Sequence, residues 1–441
     1  MTKADTTHVV IVGGGFAGVG CAKELAGHDD VRVTLLDRND YHQFQPLLYQ
    51  VATSKLARSD VAYSLRALFR GDANVEVVLG DVESVDPASK TVTTAEGRSF
   101  SGDVLVLAAG ARARFFHTPG AEEHSFPLYT VDDATRLRGR ILELFQEADA
   151  NPSLIDRGAL NFVVVGAGAT GTEVAGALAD LIQRTMTVEY SEELAKQARI
   201  VMIEHGPAVL GPFSKGAHEY AAGVLEQNGV ELRMETGVSE VAEDRVILSD
   251  GTEIVTRCVI WGGGIAAAPL AGQCGLPVGA GGRVDVQTDL TVEGFPDVYA
   301  LGDMANIAGP DDRPLPQLGS VALQSGRWAA KNIRAAAKGK ERTPFHYKDK
   351  GIMAMIGRNA AVAEVGKQRH EVHGKPAFLM WVGVHAALLS GVRTRMDAFM
   401  EWSWDYFAPT HEWEALDRSE TSRIDWGDAP GGESKERGTD G

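Results

Sequence analysis

Cysteine is nearly missing from this 441-residue chain, with only Cys21, Cys258 and Cys274, far apart. Three scattered thiols are too few for a disulfide framework, and their spacing gives neither a zinc site nor a CxxC redox pair. A reducing, cytoplasmic setting is expected, with no metal. Positive charge is also short. Lys plus Arg number 43 against 60 acidic residues, a net charge of -17, so the basic stripe that a nucleic-acid partner asks for is missing and small-molecule chemistry is favoured. No stretch reaches the roughly 18 unbroken apolar residues of a membrane-spanning helix. The opening MTKADTTHVVIVGGG lacks the charged and then apolar regions of a secretory signal.

Glycine, in contrast, is abundant: 50 residues, without a G-X-Y period, gather at strand-to-helix junctions. The length exceeds what one hydrophobic core usually spans, which predicts about two to three domains. His8 to Val12 reads as a buried parallel strand, Phe16 to Ala26 as a helix, and Val31 to Leu36 as a second strand ending at Asp37. The pattern repeats with a strand at Leu160 to Val165, a helix at Ala169 to Thr185 and a strand at Arg199 to Ile203 ending at Glu204. Stretches such as VEVVLGDVESVD and, after the second unit, VELRMETGVSEVAEDRVILSDG read as antiparallel meanders leading back to a sheet. The tail from Ala408 is rich in Gly, Glu, Asp and Ser and is expected to be largely disordered, above all beyond Trp426.

Each repeat carries GxGxxG: Gly13, Gly15 and Gly18 in the first, and Gly166, Gly168 and Gly171, with Thr170 among them, in the second. The first glycine permits the tight turn, the second lets backbone approach a pyrophosphate, and the third lets helix pack on strand. Asp37 and Glu204 stand at the ends of the following strands, placed to accept hydrogen bonds from a ribose. An acid at Glu204 favours NADH over NADPH, since a 2′-phosphate is repelled. The polar stretch RTMTVEYSEELAKQ lengthens the second unit without disturbing its cradle. Two dinucleotide cradles in one chain predict electron transfer between two dinucleotides. The spacing assigns neither to a particular cradle.

Further segments complete a pattern: RNDYHQFQPLLYQVATS (Arg38 to Ser54), LVLAAGA (Leu105 to Ala111), VIWGGGI (Val259 to Ile265), EGFPDVYALGDMA (Glu293 to Ala305), GSVALQSG (Gly319 to Gly326) and HAALLSGVRTRMDAFMEWSWDY near the end. Through them the chain resembles the two-dinucleotide flavoprotein superfamily and, within it, the type II NADH:quinone oxidoreductases, over roughly residues 8 to 410. The resemblance implies FAD in the first cradle and NADH in the second. It implies Pro46 near the flavin ring, Ala109 and Gly110 on the flavin side with Ala109 where Thr is usual, Asp303 at the ribityl-pyrophosphate with Gly302 allowing close approach, and Gly264 near the nicotinamide. Glu173, read from sequence as a favourable acid in the first helical turn, is implied to lie beside nicotinamide and flavin as a catalytic group. The family's acceptor segment AQxAxQQG appears as GSVALQSG, keeping Ala322 and the catalytic candidate Gln324 while Ser320 and Ser325 replace glutamines. No cysteine pair lies near Leu47, which disfavours disulfide reduction.

The expected fold is α/β, with two Rossmann-like dinucleotide-binding domains and a C-terminal α+β and helical segment that associates with a membrane. Residues 1–120 plus 280–343 form the FAD domain, 121–279 the NADH domain, 344–407 a C-terminal domain and 408–441 an acidic tail. Met396, Phe399, Met400, Ser403, Tyr406 and Phe407 share one face of a terminal helix, with Asp397, Glu401 and Asp405 opposite. That face suits peripheral lodging at the cytoplasmic face of the inner membrane or burial in a homodimer. The expected function is hydride transfer from NADH through FAD to a quinone, ubiquinone or menaquinone, by a ping-pong route without proton pumping. Two alternatives stand beside it: a soluble reductase with another acceptor, and a redox-sensing binding protein.

Overall fold

The computed structural model describes residues 6–310, 313–366 and 368–407, together with Ile424 and Trp426. Its first half is a βαβ unit of β1 (Thr7–Val12), α1 (Phe16–Leu25) and β2 (Val31–Asp37), followed by the short helix α2 (Leu48–Ala52), β3 (Val75–Leu79) and β4 (Val104–Leu107). The run VVIV at the end of β1 is buried because both faces of a parallel sheet are covered. The strands lie in the order β4, β1, β2, β3, and Phe295–Ala300 returns late in the chain to pair with β4. The stretch VEVVLGDVESVD, expected to form a meander, is split: β3 joins the parallel sheet, with Val33 opposite Val75, and only Val82–Asp86 enters the antiparallel meander. Alternation in that stretch reports half-burial at a sheet edge as well as it reports a meander.

The second half repeats the plan. After α3 (Val131–Ala150) come β5 (Asn161–Val165), α4 (Ala169–Asp180), β6 (Arg199–Ile203), β7 (Val230–Arg233) and β8 (Cys258–Trp261). Their order is β8, β5, β6, β7, all parallel, with Phe126–Pro127 beyond β8. The stretch expected as a polar insertion is helical: α4 runs on through a π-turn at Leu181–Met186 and further short helices, burying Met186 and Leu194. Ala111–Ala113 and Ile265–Ala267 pair antiparallel, a two-strand stalk through which the chain enters and leaves the second unit.

Helix α5 (Gly319–Ala337) lies on α1 so closely that a Cβ at Gly326 would collide with the Ala17 carbonyl oxygen. The C-terminal sheet, β9 (Gly351–Gly357), β10 (Ala360–Val365) and β11 (His370–His373), packs on α4 in the same way, with Gly176 against the Ile356 carbonyl. Two helices close the fold, α6 (Lys375–Leu388) and α7 (Val392–Phe407). Trp381 of α6 is fully buried, stacks on His385 at 3.9 Å and meets Trp402 of α7 edge-on at 5.7 Å, and the Trp402 indole donates to Gln50 Oε1 at 2.7 Å. Their outward side carries Leu379, Leu388, Met396, Phe399, Met400 and Trp404, all more than half exposed. Among the described residues no helix is long and apolar enough to cross a membrane. The side chains of Asp405, Tyr406 and Phe407, and the tail expected to be disordered except Ile424 and Trp426, lie outside the described residues.

Candidate functional site

The two cradles share one plan. Gly13 and Gly166 take φ of 108° and 93°, where L side chains are strained, and a Cβ on either would strike the carbonyl of the neighbouring return strand, Ala108 or Gly262. A Cβ on Gly18 or Gly171 would strike the carbonyl of that first glycine. A Cβ on Gly15 or Gly168, however, would meet no protein atom within 4 Å. Each loop is therefore closed at its first and third glycines and open at the second, which is the shape that admits a pyrophosphate against backbone. Gly15 and Gly168 are also the N-caps of α1 and α4, with no side chain capping either helix, so the free N–H groups and the positive end of the dipole point where the phosphates would lie. Thr170 is exposed on the first turn of α4.

The two acids make the same pair of contacts. Asp37 accepts from the N–H of Gly14 at 2.5 Å and of Asn39 at 2.7 Å. Glu204 accepts from Ala167 at 2.6 Å and Gly206 at 2.7 Å. In each case one bond goes to the residue after the first glycine and one to the residue two beyond the acid, so the carboxylate ties loop to strand end while its remaining lone pairs stay available to a ribose. Burial raises the Asp37 carboxyl above its ordinary range, against the lowering effect of those two N–H groups. His42 adds a hold that sequence reasoning did not single out: its Nδ1 donates to the Gly14 carbonyl at 2.9 Å.

Around the first cradle the structure gathers Gly110, Gly302 and Asp303. Asp303 sits in the 3-10 turn after Phe295–Ala300, and burial pushes its carboxyl up to about 6. The Tyr129 hydroxyl accepts from Ala111 N–H at 3.0 Å and stands 3.5 Å from Asp303 Oδ2, while Gln317 donates to the Asp303 carbonyl at 2.8 Å. Neither Tyr129 nor Gln317 carries a sequence signal, because their partners are more than ten residues away. Gly302 donates to Ser325 Oγ at 3.2 Å. Ser325 is fully buried, so its place in GSVALQSG is an inward strut under Asp303 rather than a shortened acceptor contact. Ala109 and Gly110 follow β4, half-buried, beside Tyr129.

Glu173 is the fifth residue of α4, beyond the first turn, so the dipole argument does not govern it. Burial does: its carboxyl is pushed up to about 8, with the Met355 N–H at 3.2 Å opposing the shift. Its charge in turn adds to the burial that lifts the Tyr49 phenol. Tyr49 lies in α2, directly after the 3-10 turn Gln45–Leu47 that holds Pro46. The second cradle's helix thus meets the segment that follows the first cradle's acid. A cavity opens beside this meeting point, lined by Tyr49, Met355, Trp381 and the Lys55–Asp180 ion pair at 2.8 Å.

Gln324 does not join this group. Its amide donates to the Lys348 carbonyl at 3.1 Å and accepts the Lys348 N–H at 3.0 Å, a reciprocal pair at the surface. Ser320 pairs with the Tyr347 hydroxyl at 2.9 Å. Gly264 takes φ of 106° with open space where a Cβ would go, in the loop between β8 and the stalk. All three cysteines are free and buried, so no dithiol faces the site.

Residues 7–326 match the family described as pyridine nucleotide-disulphide oxidoreductase. The chain is 38% identical over 411 residues to the type II NADH:quinone oxidoreductase NdhA of Mycobacterium tuberculosis, covering 89% of this chain and 86% of that protein. It is 36% identical to the type II NADH:quinone oxidoreductase Ndh of the same organism, over 90% of this chain and 87% of that one. In fold it is similar to the NDH2 of Plasmodium falciparum solved in complex with NADH, with a TM-score of 0.84 at 17% identity, covering 92% of this chain and 99% of that chain.

Proposed function

Since this chain belongs to the pyridine nucleotide-disulphide oxidoreductase family and, within it, to the type II NADH:quinone oxidoreductases, we propose how its two cradles divide the work of an FAD-dependent NADH dehydrogenase with a quinone acceptor. Gly13, Gly15, Gly18 and Asp37 hold FAD, with Pro46, Ala109, Gly110, Gly302 and Asp303 along the ribityl chain and ring. Gly166, Gly168, Thr170, Gly171 and Glu204 hold NADH, with Gly264 at the nicotinamide. Bound FAD supplies the two-electron chemistry, receiving hydride and passing electrons on; the protein supplies stacking, orientation and charge.

The resemblance supports this division, and the observation that supports electron transfer between the two cradles is the meeting of Glu173 with Tyr49 and Met355. It brings the helix of one cradle against the segment following the other, so a nicotinamide and a flavin held by them share one wall. Glu173, proton-bearing at neutral pH, lines that wall as a neutral hydrogen-bonding and proton-holding group and does not repel electron-rich rings. The shortage of cysteine leaves the disulphide branch of the family's chemistry without its dithiol. On the acceptor side Gln324 acts through Lys348, holding the segment 347–348 against the start of α5.

The outward apolar side of α6 and α7 is best matched by lipid: Trp404, Phe399 and the two methionines form a face that water solvates poorly. We place the protein at the cytoplasmic face of the inner membrane, where a quinone is reached without leaving the bilayer; pairing with a second copy through the same face is the competing occupant. Stopped-flow mixing of the yellow protein with NADH, then of the reduced protein with a quinone analogue, ferricyanide or oxygen, tests the reading. Two separable phases, the second fastest with quinone, are expected. A second phase slower with quinone than with oxygen would overturn it.

A further inference from the structure

The acidic tail is the part of the sequence to which the dehydrogenase reading gives no task, and two of its residues are docked. Ile424 and Trp426 are half-buried and pack against the core of the second unit. The Trp426 indole N–H donates to the Glu147 carboxylate near the end of α3. Two guanidinium groups lie over its ring, Arg157 at 5.4 Å and Arg257 at 5.0 Å from the centroid. Arg157 ends the 3-10 turn Pro152–Arg157, and Arg257, with a side chain only 9% exposed, leads into β8. Three separate elements therefore present an acceptor and two cations to one indole, which uses its N–H edge for the first and its electron-rich face for the others.

We propose that Glu147, Arg157 and Arg257 form a clip on the NADH domain that receives Trp426 of the same chain and moors the acidic tail there. The clip sits where β5 and β8 begin, and the cradle glycines Gly166 and Gly262 sit where those strands end. Strands of that length separate the two by about 15 Å, so Trp426 seated in the clip does not enter the nucleotide path. Sixteen residues, 408–423, join Phe407 to Ile424, a tether that reaches at most about 55 Å. Helix α7 is held to the body through Trp402 and Gln50, and the chain beyond it returns to the body at the clip.

The test uses the full-length flavin-loaded protein with one added thiol. Because the three native cysteines are buried, Gly431→Cys takes a single thiol-reactive dye just beyond the clip, and its fluorescence anisotropy reads whether the tail tumbles with the body. The unaltered clip is expected to give high anisotropy, independent of dilution. Trp426→Leu is expected to lower it to that of a free tail, Trp426→Phe to an intermediate value because the ring stays while the N–H is lost, and Arg157→Gln to lower it as well. NADH-to-ferricyanide turnover should stay within twofold in all three. Equal anisotropy with and without Trp426 would overturn the clip, and so would a restraint that vanishes on dilution, since the tail would then be held by another copy.

Discussion

Glu173 is the residue whose environment most changes its chemistry. The folded carboxyl keeps its proton to about pH 8, whereas an exposed one loses it near 4.5, so between those values the folded state binds more protons than the unfolded one and stability falls as pH rises. Glu173→Gln keeps the shape without the charge and is expected to remove that fall, a gain of roughly 4–5 kcal/mol at pH 8.5 against the parent in urea titrations. The same substitution should abolish an inflection near pH 8 in the rate of flavin reduction; an inflection that persists assigns it to another group. The cradles offer a sharper residue-scale contrast, because the second glycines face open space and a larger side chain there costs little in folding. Gly15→Val should yield a folded, colourless protein. Gly168→Val should stay yellow and fail to bleach with NADH, as read by absorbance near the flavin band. Two variants with the same phenotype would break the assignment of one dinucleotide to each cradle.

Among the elements, α5 shows how a surface reading of a motif can be inverted by packing. Ser325 is fully buried and holds Gly302, so Ser325→Gln, which restores the family's usual residue, should overpack the α1–α5 contact, lower the melting temperature by several degrees and loosen FAD, at a cost of about 1–3 kcal/mol. Gln324→Leu removes two exposed hydrogen bonds and should slow quinone-dependent reoxidation while leaving flavin reduction unchanged, measured by rapid mixing of each half-reaction. What the sequence makes legible is local: GxGxxG, its helix and its distal acid are fixed by backbone rules within some forty residues, and the strand, helix and strand of both units stand within a few residues of where that pattern puts them. What it hides is every contact that closes over a longer separation. Tyr129 reaches Asp303, Met355 reaches Glu173 and Trp426 reaches Glu147 from positions more than 170 residues apart, and no periodicity encodes such meetings. β3 joins the main sheet for the same reason: alternation tells which face is wet, and not which neighbour a strand chooses.

At the scale of the whole molecule, the apolar side of α6 and α7 predicts lipid affinity without loss of the redox core. Replacing Leu379, Phe399 and Trp404 together by Ser leaves the buried Trp381 and His385 in place and should weaken sedimentation with liposomes on the order of a hundredfold, each side chain counting for more than about 1 kcal/mol. NADH-to-ferricyanide turnover should be retained. Unchanged liposome binding, with a change instead in oligomeric mass by light scattering, would give that face to a second copy. The two-strand stalk carries a consequence for biosynthesis. Leu107 closes the return strand of the first sheet, but its other neighbour, Phe295–Ala300, leaves the ribosome only after the whole inserted unit has been made. At about 5–20 residues per second that interval is roughly 10–40 s, during which the first sheet waits with an exposed strand edge while the second, contiguous in sequence, is free to fold. The first unit is therefore completed after the second, and, on the proposed division of the cradles, chains stalled before residue 295 should retain NADH while failing to capture FAD.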